Sequence, residues 1–243
     1  MAFQKKKYTH IFFDLDNTLW NFDENSYHAL HAAFDYFEIQ KQEIDFNQFF
    51  SAYSIHNKSL WEAYRQKKVV KNELKELRFL KTFADLKIAG IDANKMNEFY
   101  LSEMPGQNRL VEGAKDLLDY LKSKGYYMHI ITNGFKEVQH KKLETSGITD
   151  YFQKIFISEE IKAPKPDRKI FEYAIKSANA PKQKSLMVGD NFEIDVKGAL
   201  NFEIDAVFYN PSLPNIQLKE NIAKYGRNIY YEVSSLNELV DLL

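Results

Sequence analysis

Two aspartates one residue apart, Asp14 and Asp16, end an apolar run in HIFFDLDNTLW, residues 10–20. Carboxylates at that spacing suit phosphoryl chemistry. One can act as a nucleophile, its neighbour two positions on can give or take a proton, and together they offer hard oxygen ligands for Mg²⁺. Each also has a purely structural reading, as a strand-end acid or an Asx turn. A pattern this short arises by chance, so its weight depends on what the rest of the chain brings to the same place.

Other polar groups end apolar runs in the same way. YYMHIITNG closes on Thr132 and Asn133, KSLMVGDN closes on Asp190, and Lys165 lies in the loop EEIKAPKPD after the run KIFIS. Alone, Thr-Asn-Gly is a turn and Lys165 a solvated lysine, as Lys162 is expected to be. In an open parallel sheet, however, residues just past the carboxyl ends of the strands share one edge, where ligands bind. Asp14, Asp16, Thr132, Asn133, Lys165 and Asp190 are therefore expected to meet.

The elements that must carry them follow from periodicity. From Val111 the chain alternates. Helices are expected at 111–124, 135–146, 167–178, 193–200 and 234–242, and strands at YYMHIIT, KIFIS, 184–188, 205–209 and NIYYEV. Gly125 and Gly147 stop helices, and Asp167 starts one. This predicts an α/β fold, a Rossmann-like parallel sheet core with right-handed crossovers. Between the first strand and this region, apolar residues recur at helical spacing, as in Leu30, Phe34 and Phe37 or Leu60 and Tyr64. Helices are expected at 23–38, 46–66, 71–87 and 93–103, with Asp45 and Asp92 as caps and Pro105-Gly106 as the closing turn. The division is a catalytic core of 1–20 and 106–243 with an inserted α-helical cap domain, 21–105, packed as a lid over the sheet.

Composition narrows the partners. With 243 residues, 44% of them apolar, and a net charge of −1, the chain reads as a soluble globular protein without the basic excess of a general nucleic-acid binder. It has no cysteine, which excludes disulfides and a thiolate nucleophile and suits the cytoplasm. No segment reads as a signal peptide or a membrane span, and Lys5, Lys6 and Lys7 read as a solvated lead-in to the first strand. His28 and His31 share a helix face, but no nearby motif completes a metal set.

DLDNT, ITNG, the lysine of KPD and VGDNFEID, in that order, resemble the four signature motifs of the haloacid dehalogenase superfamily, Mg²⁺-dependent phosphatases with an aspartate nucleophile. The insert sits where that superfamily places its type-1 helical cap. DLDNTLW with a following NF, then HNKSLWEAY and a later RF, is similar to the pyrimidine 5′-nucleotidases acting on non-standard nucleoside monophosphates.

The resemblance implies that Asp14 attacks phosphorus to form an aspartyl-phosphate, and that Asp16 protonates the leaving alkoxide and then activates water. Dehalogenases of the superfamily lack this second acid, so Asp16 argues for phosphate ester cleavage. By the same resemblance the Thr132 hydroxyl and the Asn133 N–H bind phosphoryl oxygens, and Lys165 supplies positive charge. Mg²⁺ is held by Asp14, the backbone carbonyl of Asp16, and Asp190. Asn191 and Asp195 stand behind them. Asp195 either orients Lys165 or a metal-bound water or is only a first-turn helix acid.

Trp20, Phe22, Asn57, Trp61 and Tyr64 would choose the leaving group, although core packing is the commoner fate of such aromatics. One departure is Glu203, which stands where related chains often have glycine, so either Asn201 takes the left-handed conformation or the turn differs. The expected activity is Mg²⁺-dependent hydrolysis of a small phosphorylated metabolite, a pyrimidine nucleoside monophosphate, with no nucleic-acid or membrane partner. The alternatives are a phosphosugar phosphatase or phosphomutase using the same acids, and a non-catalytic phosphate-binding regulatory protein.

Overall fold

His10–Phe13 forms β1, and all four of its residues are buried, as a central parallel strand covered on both faces requires. The computed structural model describes residues 8–213 and 222–243, so Lys5, Lys6 and Lys7 lie outside it. The chain divides into two compact units, residues 23–108 and residues 1–22 with 109–243.

The helical unit is built from α1 (Phe22–Tyr36, starting at the boundary), α2 (Phe46–Arg65), α3 (Lys71–Leu86) and α4 (Ala93–Glu103). Its helices begin where the sequence offers caps. The Asp45 side chain accepts the N–H of Asn47, and that of Asp92 accepts those of Asn94 and Lys95. Phe34, Phe49, Tyr53, Phe79 and Tyr100 form its buried interior. Arg78 is buried among them, 4.9 Å from the Tyr100 ring, with its guanidinium donating to the amide oxygens of Asn57 and Asn97.

The other unit continues through α5 (Ala114–Ser123), β2 (Tyr127–Thr132), α6 (Lys136–Thr145) and β3 (Phe152–Ile157). After them come α7 (Ser158–Ile161), α8 (Arg168–Ser177), β4 (Ser185–Gly189), α9 (Lys197–Asn201) and β5 (Asp205–Tyr209). The last elements are β6 (Ile222–Tyr225), β7 (Asn228–Val233) and the short α10 (Leu239–Leu242). The described strands form one sheet in the order β3-β2-β1-β4-β5-β7-β6, parallel except for the β6–β7 pair.

Strand order runs one way from β1 through β2 to β3 and the other way through β4 to β5. The reversal at β1 makes a switch point, and the carboxyl ends of β1, β2 and β4 lie side by side there. Register fixes the alignment, with Phe13 opposite both Ile130 and Val188. Phe12, Ile131, Phe156, Met187 and Ala206 pack on one face against Ile170, Phe171, Ala199 and Leu200 of α8 and α9. Ile11 and Phe13 alternate to the opposite face.

Several details depart from the sequence-based expectations. The loop after β3 contains α7, and β6 pairs with β7 as a hairpin edge that the weak pattern around 222–225 does not announce. The helix expected at 193–200 opens with a π-turn, Phe192–Val196, before α9. The terminal helix is a 3₁₀ turn, Leu236–Glu238, running into α10. At the end of α9 it is Glu203 itself, not Asn201, that takes the left-handed conformation, with φ at 67°. The N–H groups of Glu203 and Ile204 close the helix on the carbonyls of Leu200 and Ala199, a Schellman ending. Lys182 pairs with the Glu203 carboxylate at 3.2 Å.

Candidate active site

The chain folds back on itself immediately after β1. Asp14 still belongs to the sheet, its N–H bonded to the carbonyl of Val188 at 2.9 Å, and the Leu15 carbonyl then accepts the N–H groups of Leu19 and Trp20. Asn17 takes the left-handed conformation this loop needs, with φ at 58°, one that asparagine tolerates better than most residues. The result presents Asp14 and Asp16 in different directions at one strand end.

Asp14 faces Lys165. The ammonium lies 2.5 Å from Oδ1 of Asp14 and 2.7 Å from Oδ1 of Asp195, and all three side chains are nearly fully buried. Burial works against the charge on Lys165, but Asp14 and Asp195 outweigh it and push its pKa up. Burial likewise raises the Asp14 pKa well above the carboxylate range; Lys165 opposes that rise, and Asp195, Asp190 and Asp16 add to it. The loop bearing Lys165 is latched by Asn133, whose side chain accepts the Lys165 N–H at 2.8 Å and donates to its carbonyl at 3.0 Å. The expected phosphate contact of Asn133 concerned its backbone; its side chain positions the lysine.

Asp195 reaches this place through the π-turn. Its Oδ2 accepts the Asn191 N–H at 3.1 Å, while the Asn191 side chain caps the turn on the N–H of Ile194. Asp195 thus lies against Lys165, 2.7 Å from its ammonium, as well as in the first turn of its helix. Asp190 is held by Thr18, whose hydroxyl accepts the Asp190 N–H at 3.0 Å and reaches its carboxylate at 3.4 Å. Burial, then the nearby Asp195, pushes the Asp190 pKa up to about 7 against the opposing pull of Lys165.

Asp16 turns toward α6. Lys142 lies 2.6 Å from its Oδ1, and the Gln139 amide donates to its Oδ2 at 3.0 Å. The same amide donates to the Thr132 hydroxyl oxygen at 2.6 Å, and that oxygen also accepts the Gly134 N–H at 3.1 Å. With its oxygen accepting twice, Thr132 has its proton left to donate to a ligand.

The donor set suits Mg²⁺. Carboxylate oxygens of Asp14, Asp190 and Asp195 lie within 4.8 Å of one another, all hard donors. Both oxygens of Asp195 are engaged, Oδ1 by Lys165 and Oδ2 by Asn191, whereas Asp14 meets Lys165 through Oδ1, so of the three carboxylates Asp14 and Asp190 are the better suited to an ion.

Of the residues expected to select the leaving group, Trp20 is fully buried and Asn57 is 8% exposed and bonded to Arg78. Trp20 packs against the Lys142 ammonium, 4.1 Å from its ring centroid, and Asn57 lies in the interior of the helical unit. Phe22, Trp61 and Tyr64 are half-buried, the last two edge to face at 5.7 Å.

Thr18, Gln139 and Lys142 are site residues that the motif reading passed over. Thr18 occupies the fifth position of DLDNT. Gln139 and Lys142 share the inward face of α6 with Val138 and Leu143, and two polar residues on such a face were the available signal.

The sequence matches the haloacid dehalogenase-like hydrolase family over residues 8–202. It is 34% identical to the pyrimidine 5′-nucleotidase PynA of Streptococcus pneumoniae, covering 97% of this chain and 95% of that one. It is also 34% identical to the pyrimidine 5′-nucleotidase YjjG of Escherichia coli, covering 98% of both. The crystal structure of the HAD-hydrolase YfnB of Bacillus subtilis, bound to magnesium, superposes with a TM-score of 0.82 at 26% identity, covering 98% of this chain and 99% of that one. By sequence, fold and the order of its site residues, the chain belongs to the haloacid dehalogenase-like hydrolases.

Proposed function

We propose that this phosphatase hydrolyses phosphomonoesters by transient phosphorylation of Asp14, with Mg²⁺ as cofactor and pyrimidine nucleoside 5′-monophosphates as substrates. The observation that carries the reading is the pair of acids at one strand end turned to different partners, Lys165 and Lys142. Asp14 is buried against Lys165, while Asp16 is turned away and partly open. The 34% identity to two pyrimidine 5′-nucleotidases over nearly the whole chain supports the substrate class.

In this mechanism Asp14 attacks phosphorus in line with the departing ester oxygen. Lys165 and the Thr132 hydroxyl take up charge on the phosphoryl oxygens as it develops. Asp16 gives its proton to the departing 5′-oxygen, then removes one from the water that opens the acyl phosphate, regenerating the Asp14 carboxylate and releasing inorganic phosphate. Asp14, Asp190 and the Asp16 carbonyl would hold Mg²⁺, which when bound would supply the further neutralising charge that lets a carboxylate approach a phosphate dianion. Trp61 and Tyr64 are the aromatics proposed to favour a planar base.

Acid quenching during turnover of phosphate-labelled UMP tests the chemistry. Label should stay with the protein, be released by hydroxylamine, and be absent from Asp14→Asn; label retained by that variant would move the nucleophile elsewhere. A phosphate-release panel tests the substrate. Turnover of sugar phosphates without turnover of UMP, dUMP and dTMP would replace the nucleotidase reading with the phosphosugar one.

A further inference from the structure

Lys142 and Gln139 take no part in that mechanism, yet they are the most completely buried polar side chains of α6. Lys142 is 3% exposed and Gln139 fully buried, three residues apart on the helix and so on neighbouring positions of one face. An ammonium is costly to bury, and an apolar residue at 142 would lie against Trp20 as well, so packing alone does not call for a lysine. Its charge is directed at one group. Lys142 holds Oδ1 of Asp16, and Gln139 holds Oδ2 and, through the same amide, the Thr132 hydroxyl. The Trp20 ring, with Phe22 at 5.3 Å, closes over the ammonium and keeps it from turning to solvent. Gly134 completes the arrangement, since a Cβ there would collide with the Gln139 amide.

We propose that Lys142 and Gln139 are positioning residues for Asp16. Both oxygens of the proton-transferring carboxylate are held from α6, and the shared Gln139 amide keeps it in fixed relation to the phosphate-binding Thr132. Trp20 thereby acts through Lys142, without contacting the leaving group. The proposal rests on the reading of Asp16 as proton donor and acceptor.

The test compares leaving groups that differ in their need for a proton. A nucleoside 5′-oxygen departs poorly without one; p-nitrophenolate departs readily. On UMP, Lys142→Met should lower kcat by about 10–100-fold, a part of the roughly 10²–10⁴-fold that acid–base catalysis contributes, with KM changed less than about two-fold. First-turnover release of p-nitrophenolate from p-nitrophenyl phosphate should stay within about three-fold of the parent. Lys142→Arg, which keeps the charge, should recover most of the loss. In an Asp16→Asn background, adding Lys142→Met should change kcat less than about two-fold, because the group it positions is already disabled.

An equal loss on both substrates, or a full further loss on top of Asp16→Asn, would overturn the proposal. If Asp16→Asn itself leaves UMP turnover intact, the assignment of Asp16 is what fails. Gln139→Leu should show the same leaving-group dependence and carries the test should Lys142→Met not fold.

Discussion

A Cβ on residue 189 would lie 2.5 Å from Cγ of Asp195, so Gly189 at the end of β4 is the opening through which Asp195 reaches Lys165. Here the requirement for glycine is space, not a left-handed backbone. Gly189→Ala should push Asp195 off Lys165 and free the ammonium to shift on Asp14. Misplacing a charged group by about an ångström costs about 10²-fold in rate, and overpacking costs about 1–3 kcal/mol of stability. Steady-state kcat with a denaturation curve checks both; an unaltered kcat would show that Asp195 needs no such close approach.

Lys165 lies between two buried carboxylates, Asp14 and Asp195. Lys165→Met leaves both without their partner, and breaking a buried pair in this way costs about 3–5 kcal/mol. Turnover should fall by about 10²–10³-fold through loss of charge at the phosphoryl oxygens. A variant with full stability and full activity would remove Lys165 from the site.

Thr18 is fully buried and touches Asp190 with its hydroxyl, so Thr18→Val changes almost nothing but that contact. The variant should require about 10–100-fold more Mg²⁺ for half-maximal activity, with kcat approaching the parent value at saturation. Magnesium titrations of the two proteins make the comparison, and superimposable curves would show that Asp190 holds its orientation unaided.

His129 lies on β2, 2% exposed, 3.2 Å from His10 and stacked on Phe12. Burial, then the charges of His10 and Lys154, push its pKa down to about 4. In the unfolded chain the same imidazole titrates near 6.5. Below that value the unfolded state binds a proton that the native state refuses, so stability is fully present above it and falls as pH drops from about 6.5 towards 4. The screened cost is about 1–2 kcal/mol. Denaturant midpoints at about pH 7 and about pH 5 should diverge in the parent and converge in His129→Gln. Equal divergence in both proteins would place the acid sensitivity on another group.

Much of this molecule was legible in its sequence because the relevant interactions are short. Asp45, Asp92 and Asp167 cap helices by bonds to N–H groups two or three residues away, so the residue types suffice to mark where α2, α4 and α8 begin. The alternation of apolar strands with helices implied a parallel sheet, and the parallel sheet implied that Asp14, Thr132 and Asp190 would end on one edge. Residue chemistry added that hard oxygens and an ammonium together suit a phosphate and Mg²⁺.

Other features depend on contacts that no local window contains. β6 is a strand only because β7 pairs with it, and Glu203 is left-handed because the hydrogen bonds ending α9 require it whatever the residue. Residue type alone does not say whether an aromatic or an amide meets a ligand or a core, and burial placed Trp20 and Asn57 in the core. Gln139 and Lys142 stand 123 and 126 residues from Asp16, and only the register of β2 beside β1 and the packing of α6 bring them to it. From its sequence alone, then, the protein had its fold, its family and the acids at the strand ends. The tertiary structure decided which side chains hold those acids, because directional bonds across so long a stretch of chain form only once the sheet has set every strand end in place.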